Sequence, residues 1–203
     1  LKLLAGLGDV ESAAPSMQMW SLGRLVVESN ELMAMFDAGY TGLDDRLRAS
    51  DSEAAMGFIA AFDSFLFSYG CRGPNEWEAR SPTWETEPDL ALAAIDRMRL
   101  SDASAAPQLH NDDRRSEREF LGAEIAAMVE GDPETHGQFV AALNSATVFM
   151  PGRERTKTNN IKLVHELRVA LHEIGHRRVQ AGTFHKHDDF GLLTRPELKN
   201  EVA

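Results

Sequence analysis

Residues 151–182 read PGRERTKTNNIKLVHELRVALHEIGHRRVQAG and form the longest helical pattern in the chain. Pro151 suits the first turn of a helix and Gly182 suits the position just past its end, so these two residues predict its boundaries. At 100° per residue, apolar side chains fall on one face and the three histidines of the stretch fall on the opposite face. We expect the apolar face to be buried; it consists of Leu163, Val164, Leu167, Ala170, Leu171 and Ile174.

The pentapeptide HEIGH inside this helix has the spacing of a zinc-protease motif. In such a motif two histidines four residues apart bind the metal, and the glutamate polarises a water molecule. His172, Glu173 and His176 would take these roles, with Glu197 as a third ligand. Two features oppose this interpretation: the predicted helix turns both histidines to solvent, and Arg177 occupies a position that is usually uncharged in the motif. We therefore expect no metal site and keep a zinc metallopeptidase as an alternative.

Arg153 and Lys157 lie four residues apart near the start of the predicted helix, so their side chains are neighbours one turn apart. Two stacked cations repel each other unless an anion, such as a carboxylate or a phosphoryl group, lies between them. Both side chains could instead extend separately into solvent. The spacing alone leaves these two interpretations open.

The remaining chain also has helical periodicity, and no stretch alternates as a strand does. Ser50 and Glu53 have the spacing of a capping box, and Asp132 precedes a proline as a helix N-cap often does. The predicted fold class is all-α, an irregular bundle of six or seven helices. The additional helices are predicted at residues 16–39, 53–70, 87–100 and 112–130, and from Asp132 onward.

Residues 71–85, CRGPNEWEARSPTWE, fit neither the helical nor the strand period. The segment has two prolines, a glycine and alternating charges, which predict a long ordered loop. Trp77 and Trp84 are expected to anchor it to the body of the protein. Such a loop is either a functional segment or a connector held in place by its aromatic side chains.

The length of 203 residues predicts a single helical domain. Residues 1–15 are expected to be a connector, residues 16–100 a first helical half that includes the loop, and residues 111–203 a second helical half. The chain starts without a methionine, and we expect it to be a piece of a longer polypeptide.

The composition excludes several classes of protein. The formal net charge of −11 opposes nucleic acid or an anionic membrane as the main partner, because both require concentrated positive potential. Cys71 is the only cysteine, so neither an internal disulfide nor a cysteine-rich metal site can form. No apolar run approaches the roughly 18 residues of a membrane span, and the first residues do not resemble a signal peptide. A cytoplasmic location is expected.

Several segments occur in an order that resembles a known family. GLGDVESAAP precedes a helix with a tryptophan, YGCRGPNEWE is followed by PTWETEP, and RERTK is followed about forty residues later by DDFGLLTRPEL. Together they resemble the region between the ATP-grasp domain and the swivelling phosphohistidine domain of phosphoenolpyruvate synthase-like phosphotransferases. The likeness is closest to the rifampicin phosphotransferase type and spans most of the chain.

This resemblance implies that the chain is the acceptor-binding domain of an ATP-dependent phosphotransferase. In this family the ATP-grasp domain binds ATP and magnesium and phosphorylates a histidine, which then swings to the acceptor. The segments for both steps are missing from these residues, so the chain would bind no cofactor and would not complete the reaction alone. The expected partners are those two domains and a small hydroxylated acceptor that is apolar or aromatic.

The resemblance also implies candidate site residues. Arg153 and Lys157 match a cationic pair that faces the transfer cleft of the family. Arg72 and Glu76 lie in the family's RGPNE loop, where ordering the loop comes before contact with the acceptor. The HEIGH segment aligns with an ordinary helical stretch, which weakens the zinc interpretation. A further alternative, from a non-enzymatic class, is a stand-alone helical module that binds an apolar ligand or a partner protein.

Overall fold

A computed structural model describes residues 2–7 and 13–202 of the chain, so residues 1 and 8–12 of the predicted connector, which include half of the GLGDVESAAP segment, lie outside the described residues. Within these ranges it contains eight α-helices and three short 3-10 helices, and no strand. The all-α class is confirmed. The α-helices are α1 (Ala14–Val27), α2 (Asn30–Asp37), α3 (Leu43–Arg48), α4 (Glu53–Tyr69), α5 (Pro88–Arg99), α6 (Pro107–Met128), α7 (Pro133–Gln180) and α8 (Arg195–Val202), and the 3-10 helices are Lys2–Leu4, Ala103–Ala105 and His187–Leu192.

Helices α1 to α5 enclose the main hydrophobic core. Three phenylalanines of α4 follow its inner face: the ring of Phe62 lies 6.0 Å from Phe58 and 6.2 Å from Phe65, and both pairs are stacked. Phe36 of α2 meets Phe58 edge to face at 5.5 Å. Such aromatic pairs add about 0.5–1.5 kcal/mol each to the burial of their area. This aromatic row fixes the position of α4, which leads into the loop.

The N-terminal helix expected at residues 16–39 is two helices. Ser29 is the N-cap of the second one, and its hydroxyl accepts a hydrogen bond from the backbone N–H of Leu32 at 3.3 Å. The cap of α4 also differs from the prediction, since Ser52 accepts from the N–H of Ala55 at 3.2 Å in place of Ser50. The division of the first predicted helix and the additional short helices α3 and α8 account for the larger number of helices.

Helix α7 has 48 residues and runs through Pro151, so the predicted start at that proline is wrong. Asp132 begins the helix as its N-cap; its carboxylate accepts from the N–H groups of Glu134 and Thr135 at 3.1 and 3.3 Å. Pro151 removes one hydrogen bond of the helix. The residues on both sides continue the helical pattern without a glycine or asparagine cap before the proline, and the helix therefore remains intact.

The buried face of α7 also differs from the predicted one, of which Val164, Leu171 and Ile174 are only partly buried. Leu163 and Leu167 are 70% and 56% exposed, whereas His165 and Arg168 are 4% and 0% exposed. The inner face lies against backbone carbonyl groups of the loop between α4 and α5, which require hydrogen-bond donors. Polar side chains are therefore buried where the hydrophobic pattern predicted solvent. None of the helices in the described ranges has the length and hydropathy needed to cross a bilayer.

Candidate functional site

The loop between α4 and α5 is ordered, as the sequence predicts. The backbone N–H of Trp84 donates to the carbonyl of Arg72 at 2.8 Å, and that of Glu85 donates to the carbonyl of Gly70 at 2.9 Å. Trp84 anchors the loop because its ring lies 5.4 Å from Phe65 in the core. The other tryptophan of the loop is more than half exposed, so its expected anchoring role is wrong.

Arg168 of α7 holds the loop from the other side. Its buried guanidinium donates from Nη2 to the carbonyl oxygens of Glu76 and Glu78 at 2.9 and 3.0 Å. Burial lowers the pKa of Arg168 below its ordinary value, but a guanidinium still stays charged in proteins. The loop therefore closes over a buried cation with which its backbone makes charge-assisted hydrogen bonds.

A chain of hydrogen bonds extends from Arg168 to the protein surface. Nη1 of Arg168 lies 3.2 Å from Nδ1 of His165, and Nε2 of His165 lies 3.0 Å from a carboxylate oxygen of Glu85. Because Arg168 can only donate, Nδ1 accepts, and a neutral His165 carries its hydrogen on Nε2. The tautomer is therefore assigned from these two partners, and Nε2 of His165 donates to the carboxylate of Glu85.

Three of the four predicted site residues meet at one carboxylate. Glu76 forms ion pairs with Nε of Arg72 at 2.9 Å and with Nζ of Lys157 at 3.1 Å. Arg153 is not part of this group, since its exposed guanidinium pairs with the neighbouring Glu154. An anion does lie between two cations, but the second cation comes from the loop and the anion is a side chain of the protein.

The loop and α7 border a cleft of about 670 Å³, which we term the α4–α7 cleft. Burial raises the pKa of the Cys71 thiol in its wall, and the charge of Lys162 opposes this shift in part. A volume of this size is typical of sites for small organic ligands. The side chains that define its chemistry are Phe67, Tyr69, Arg72, Glu85, Lys162 and His165.

A second cleft of about 870 Å³, the histidine cleft, lies where the 3-10 helix His187–Leu192 packs on α7. The ring of His187 lies 4.7 Å from that of His176, nearly parallel, and 5.0 Å from that of His172. Gly175 permits this approach because its missing side chain leaves room for the backbone of His187. A glycine between two histidines on one face was a signal for this contact that hydrophobicity could not reveal.

The HEIGH segment does not have the arrangement of a zinc site. His172 bonds to the carbonyl of Ala79 at 3.2 Å, and Glu173 pairs with Arg177 at 2.7 Å on the exposed side of the helix. Glu197 caps its own helix by accepting from the N–H of Thr194 at 2.8 Å. Across residues 2–7 and 13–202, no three His, Cys, Asp or Glu side chains are grouped so that they could hold a metal ion.

The prediction that these histidines face solvent is wrong for His172, which is partly buried under the loop, whereas His176 is exposed as predicted. Burial lowers its pKa below the ordinary value of 6.5, with the nearby His187 and His176 acting in the same direction. The pentapeptide therefore contributes to packing between α7, the loop and the 3-10 helix.

Acidification should weaken this packing. A histidine with a lowered pKa in the folded state binds fewer protons than in the unfolded chain, so its contribution to stability is complete above about pH 6.5 and is lost as the pH falls through the folded pKa. We expect the Tm to decrease between about pH 7.5 and about pH 5.5, and to decrease less in His172→Gln. Thermal melting followed by circular dichroism measures both. An identical pH dependence in the two proteins would contradict this assignment.

The fold is an all-α domain in which α4, α7 and the loop between α4 and α5 border a cleft. Comparison with protein families identifies its relatives: the family of the rifampicin phosphotransferase fourth domain matches residues 1–154. The chain belongs to this family and is a domain of a rifampicin phosphotransferase-type enzyme. The match includes the whole loop and Arg153, and it ends before Lys157. A search of curated proteins finds no match.

Proposed function

We propose that this domain binds the phosphoryl acceptor of an ATP-dependent phosphotransferase in the α4–α7 cleft. The observation that carries the proposal is the convergence of Arg72 and Lys157 on Glu76, since Arg72 also lines the cleft. The phosphoryl group would come from a phosphohistidine on a swivelling domain. An ATP-grasp domain with bound magnesium would phosphorylate that histidine from ATP. The resemblance to this family of enzymes supports this assignment of the reaction steps to separate domains.

The walls of the cleft suit a small aromatic acceptor with a hydroxyl group. Phe67 is 95% exposed and lies at the cleft together with Tyr69, so two aromatic rings are available to pack against an apolar body. Ser68, Thr158 and Asn159 add hydroxyl and amide groups that can orient a polar substituent. Rifampicin, the compound in the name of the family, is the first acceptor to test.

Cations at this site would stabilise the transition state of phosphoryl transfer. Negative charge spreads over the oxygens of a phosphoryl group as it passes between two partners, and fixed positive groups lower the energy of that state. Arg72 is held in place by Glu76, which reduces the cost of orienting it at the moment of reaction. Arg153 points outward and is 66% exposed, so it is accessible to an incoming phosphohistidine domain.

Substitution of the cations tests the proposal in the complete enzyme with ATP, magnesium and rifampicin. We expect Lys157→Met and Arg153→Met each to lower kcat/KM on the order of 10²-fold, because Lys157→Met removes a partner of the Glu76 carboxylate and Arg153→Met removes an exposed cation that would meet the incoming phosphohistidine domain. Lys199→Met, on the exposed side of α8, is the control and should keep full activity. Circular dichroism should show the same helix content in all variants.

Two results would contradict the proposal. Unchanged kinetics in both variants would remove these residues from the site. Failure of the complete enzyme to transfer phosphate from ATP to rifampicin or to any simple phenol would remove the acceptor-binding role itself.

A further inference from the structure

We propose that Glu85 takes the proton of the acceptor hydroxyl during transfer, and that His165 is the positioning residue for its carboxylate. The inference rests on the proposed function of the α4–α7 cleft. It adds a catalytic residue to that site, since Glu76, the carboxylate of the RGPNE motif, is paired with Arg72 and Lys157 and does not line the cleft.

Glu85 is held at both ends. Its backbone N–H donates to the carbonyl of Gly70 at 2.9 Å, and its carboxylate accepts from Nε2 of His165 at 3.0 Å. The backbones are so close that a side chain on Gly70 would lie 2.9 Å from Cβ of Glu85. Even so, the Glu85 side chain is 57% exposed and lines the cleft. It is a fixed carboxylate with access to a ligand.

The other neutral or acidic groups of the cleft are less suited to this role. Both ring nitrogens of His165 are engaged, one by Arg168 and one by Glu85. Burial raises the pKa of Cys71, which keeps this thiol protonated. Glu166 also lines the cleft, but its carboxylate does not accept from His165 as that of Glu85 does. Among the described residues that line the cleft, Glu85 is therefore the oriented group that can act as a general base.

The reaction balances with this assignment. The acceptor oxygen forms a bond to phosphorus while the bond between phosphorus and the imidazole nitrogen of the phosphohistidine breaks, and that electron pair returns to the ring. The proton of the acceptor hydroxyl passes to the carboxylate of Glu85, which later releases it to water. Arg72 and Lys162 line the same cleft and can stabilise the phosphoryl oxygens as the charge develops.

The position of Glu85 depends on residues that do not touch the acceptor. Arg168 occupies Nδ1 of His165, which places the ring hydrogen on Nε2, where it can hold the carboxylate. A buried arginine thus determines the tautomer of the histidine, and the histidine orients the base. This is the relation between a general base and the group that orients it in other enzymes.

The test uses the complete enzyme with ATP, magnesium and rifampicin as the acceptor probe. Glu85→Gln keeps an oxygen that can accept from His165 but cannot take up a proton at neutral pH. We expect kcat for rifampicin to fall about 10²- to 10⁴-fold with little change in KM. Formation of the phosphoenzyme from ATP should proceed at the rate of the unchanged enzyme. Glu87→Gln, two residues away and outside this cleft, is the control and should keep its activity.

Further variants separate the base from a structural role. Glu85→Asp keeps a carboxylate at a shorter reach and should be more active than Glu85→Gln. His165→Asn should lower kcat less than Glu85→Gln and should shift the acidic limb of the pH–rate profile, which a loss of folding alone would not do. If Glu85→Gln does not fold, the comparison of Glu85→Asp with the unchanged enzyme decides the matter.

Each outcome has one meaning. Activity of Glu85→Gln within threefold of the unchanged enzyme, or Glu85→Asp no better than Glu85→Gln, would overturn the role of Glu85 while leaving acceptor binding intact. Absence of any transfer by the unchanged enzyme, to rifampicin or to simple phenols, would overturn the proposed function and the inference with it.

Discussion

Arg168→Met is expected to lower the free energy of unfolding by about 3 kcal/mol or more, the largest effect of any single substitution in α7. The methionine fills similar space but donates no hydrogen bond. The carbonyl oxygens of Glu76 and Glu78 would lose their charged donor inside the protein, and His165 would lose the partner of its Nδ1. Each hydrogen bond to a charged group contributes about 1.5–3 kcal/mol, so the loss of three cannot be compensated locally.

Denaturant unfolding measures the loss, and hydrogen exchange locates it. Amide protection should decrease first in residues 72–85, because this loop is held by Arg168 from the side of α7. Arg177→Met is the matched control, since this arginine pairs with Glu173 on the exposed surface of the same helix. An exposed pair of this kind contributes about 0–1 kcal/mol. If both variants unfold alike, the buried arginine is not what holds the loop.

The inner face of α7 shows what sequence patterns could and could not predict. The buried positions, Ile161, His165, Arg168 and Gly175, are spaced by four, three and seven residues, as on one face of an amphipathic helix. Three of the four are not hydrophobic, because they face loop carbonyls and a close backbone crossing. A pattern based on hydrophobicity therefore selected Leu163 and its neighbours, which lie on the outer face.

The all-α class and the ordered loop followed from local signals, namely the helical period and a segment with prolines and tryptophans. The pairing of Arg72 with Glu76 is also local, since the two residues are four apart. The contact of Lys157 with Glu76 joins residues far apart in the chain, and no spacing predicts it. The same holds for Glu85 and His165, which only the folded loop brings together.

Pro151 was a misleading indicator of structure in α7, whereas Gly175 was an informative one. Pro151 predicted a boundary that does not exist, because a proline weakens a helix without always ending it. Gly175 predicted no helix boundary, although it marks the point where another segment crosses the helix. The cost of a helical glycine relative to alanine is about 0.5–1 kcal/mol, and tertiary contact justifies that cost here.

Gly175→Ala is expected to detach the 3-10 helix His187–Leu192 from α7. The added methyl group would overlap the carbonyl oxygen of His187 and lie 2.7 Å from its carbonyl carbon. Since these are backbone atoms, no side-chain rotation relieves the overlap, and the crossing segment must move away. The contacts of the His187 ring with His172 and His176 would then be lost, and Phe190, now buried, would become exposed.

Gly152→Ala provides the control within the same helix, because a side chain there would have no neighbour within 4 Å. Alanine is the better helix former, so this variant should be more stable by about 0.5–1 kcal/mol. Gly175→Ala should instead be less stable by about 1–3 kcal/mol, as expected for an overpacked contact. Hydrogen exchange in residues 185–192 should increase in Gly175→Ala alone. Equal stabilisation by the two substitutions would show that the segment does not cross α7 at Gly175.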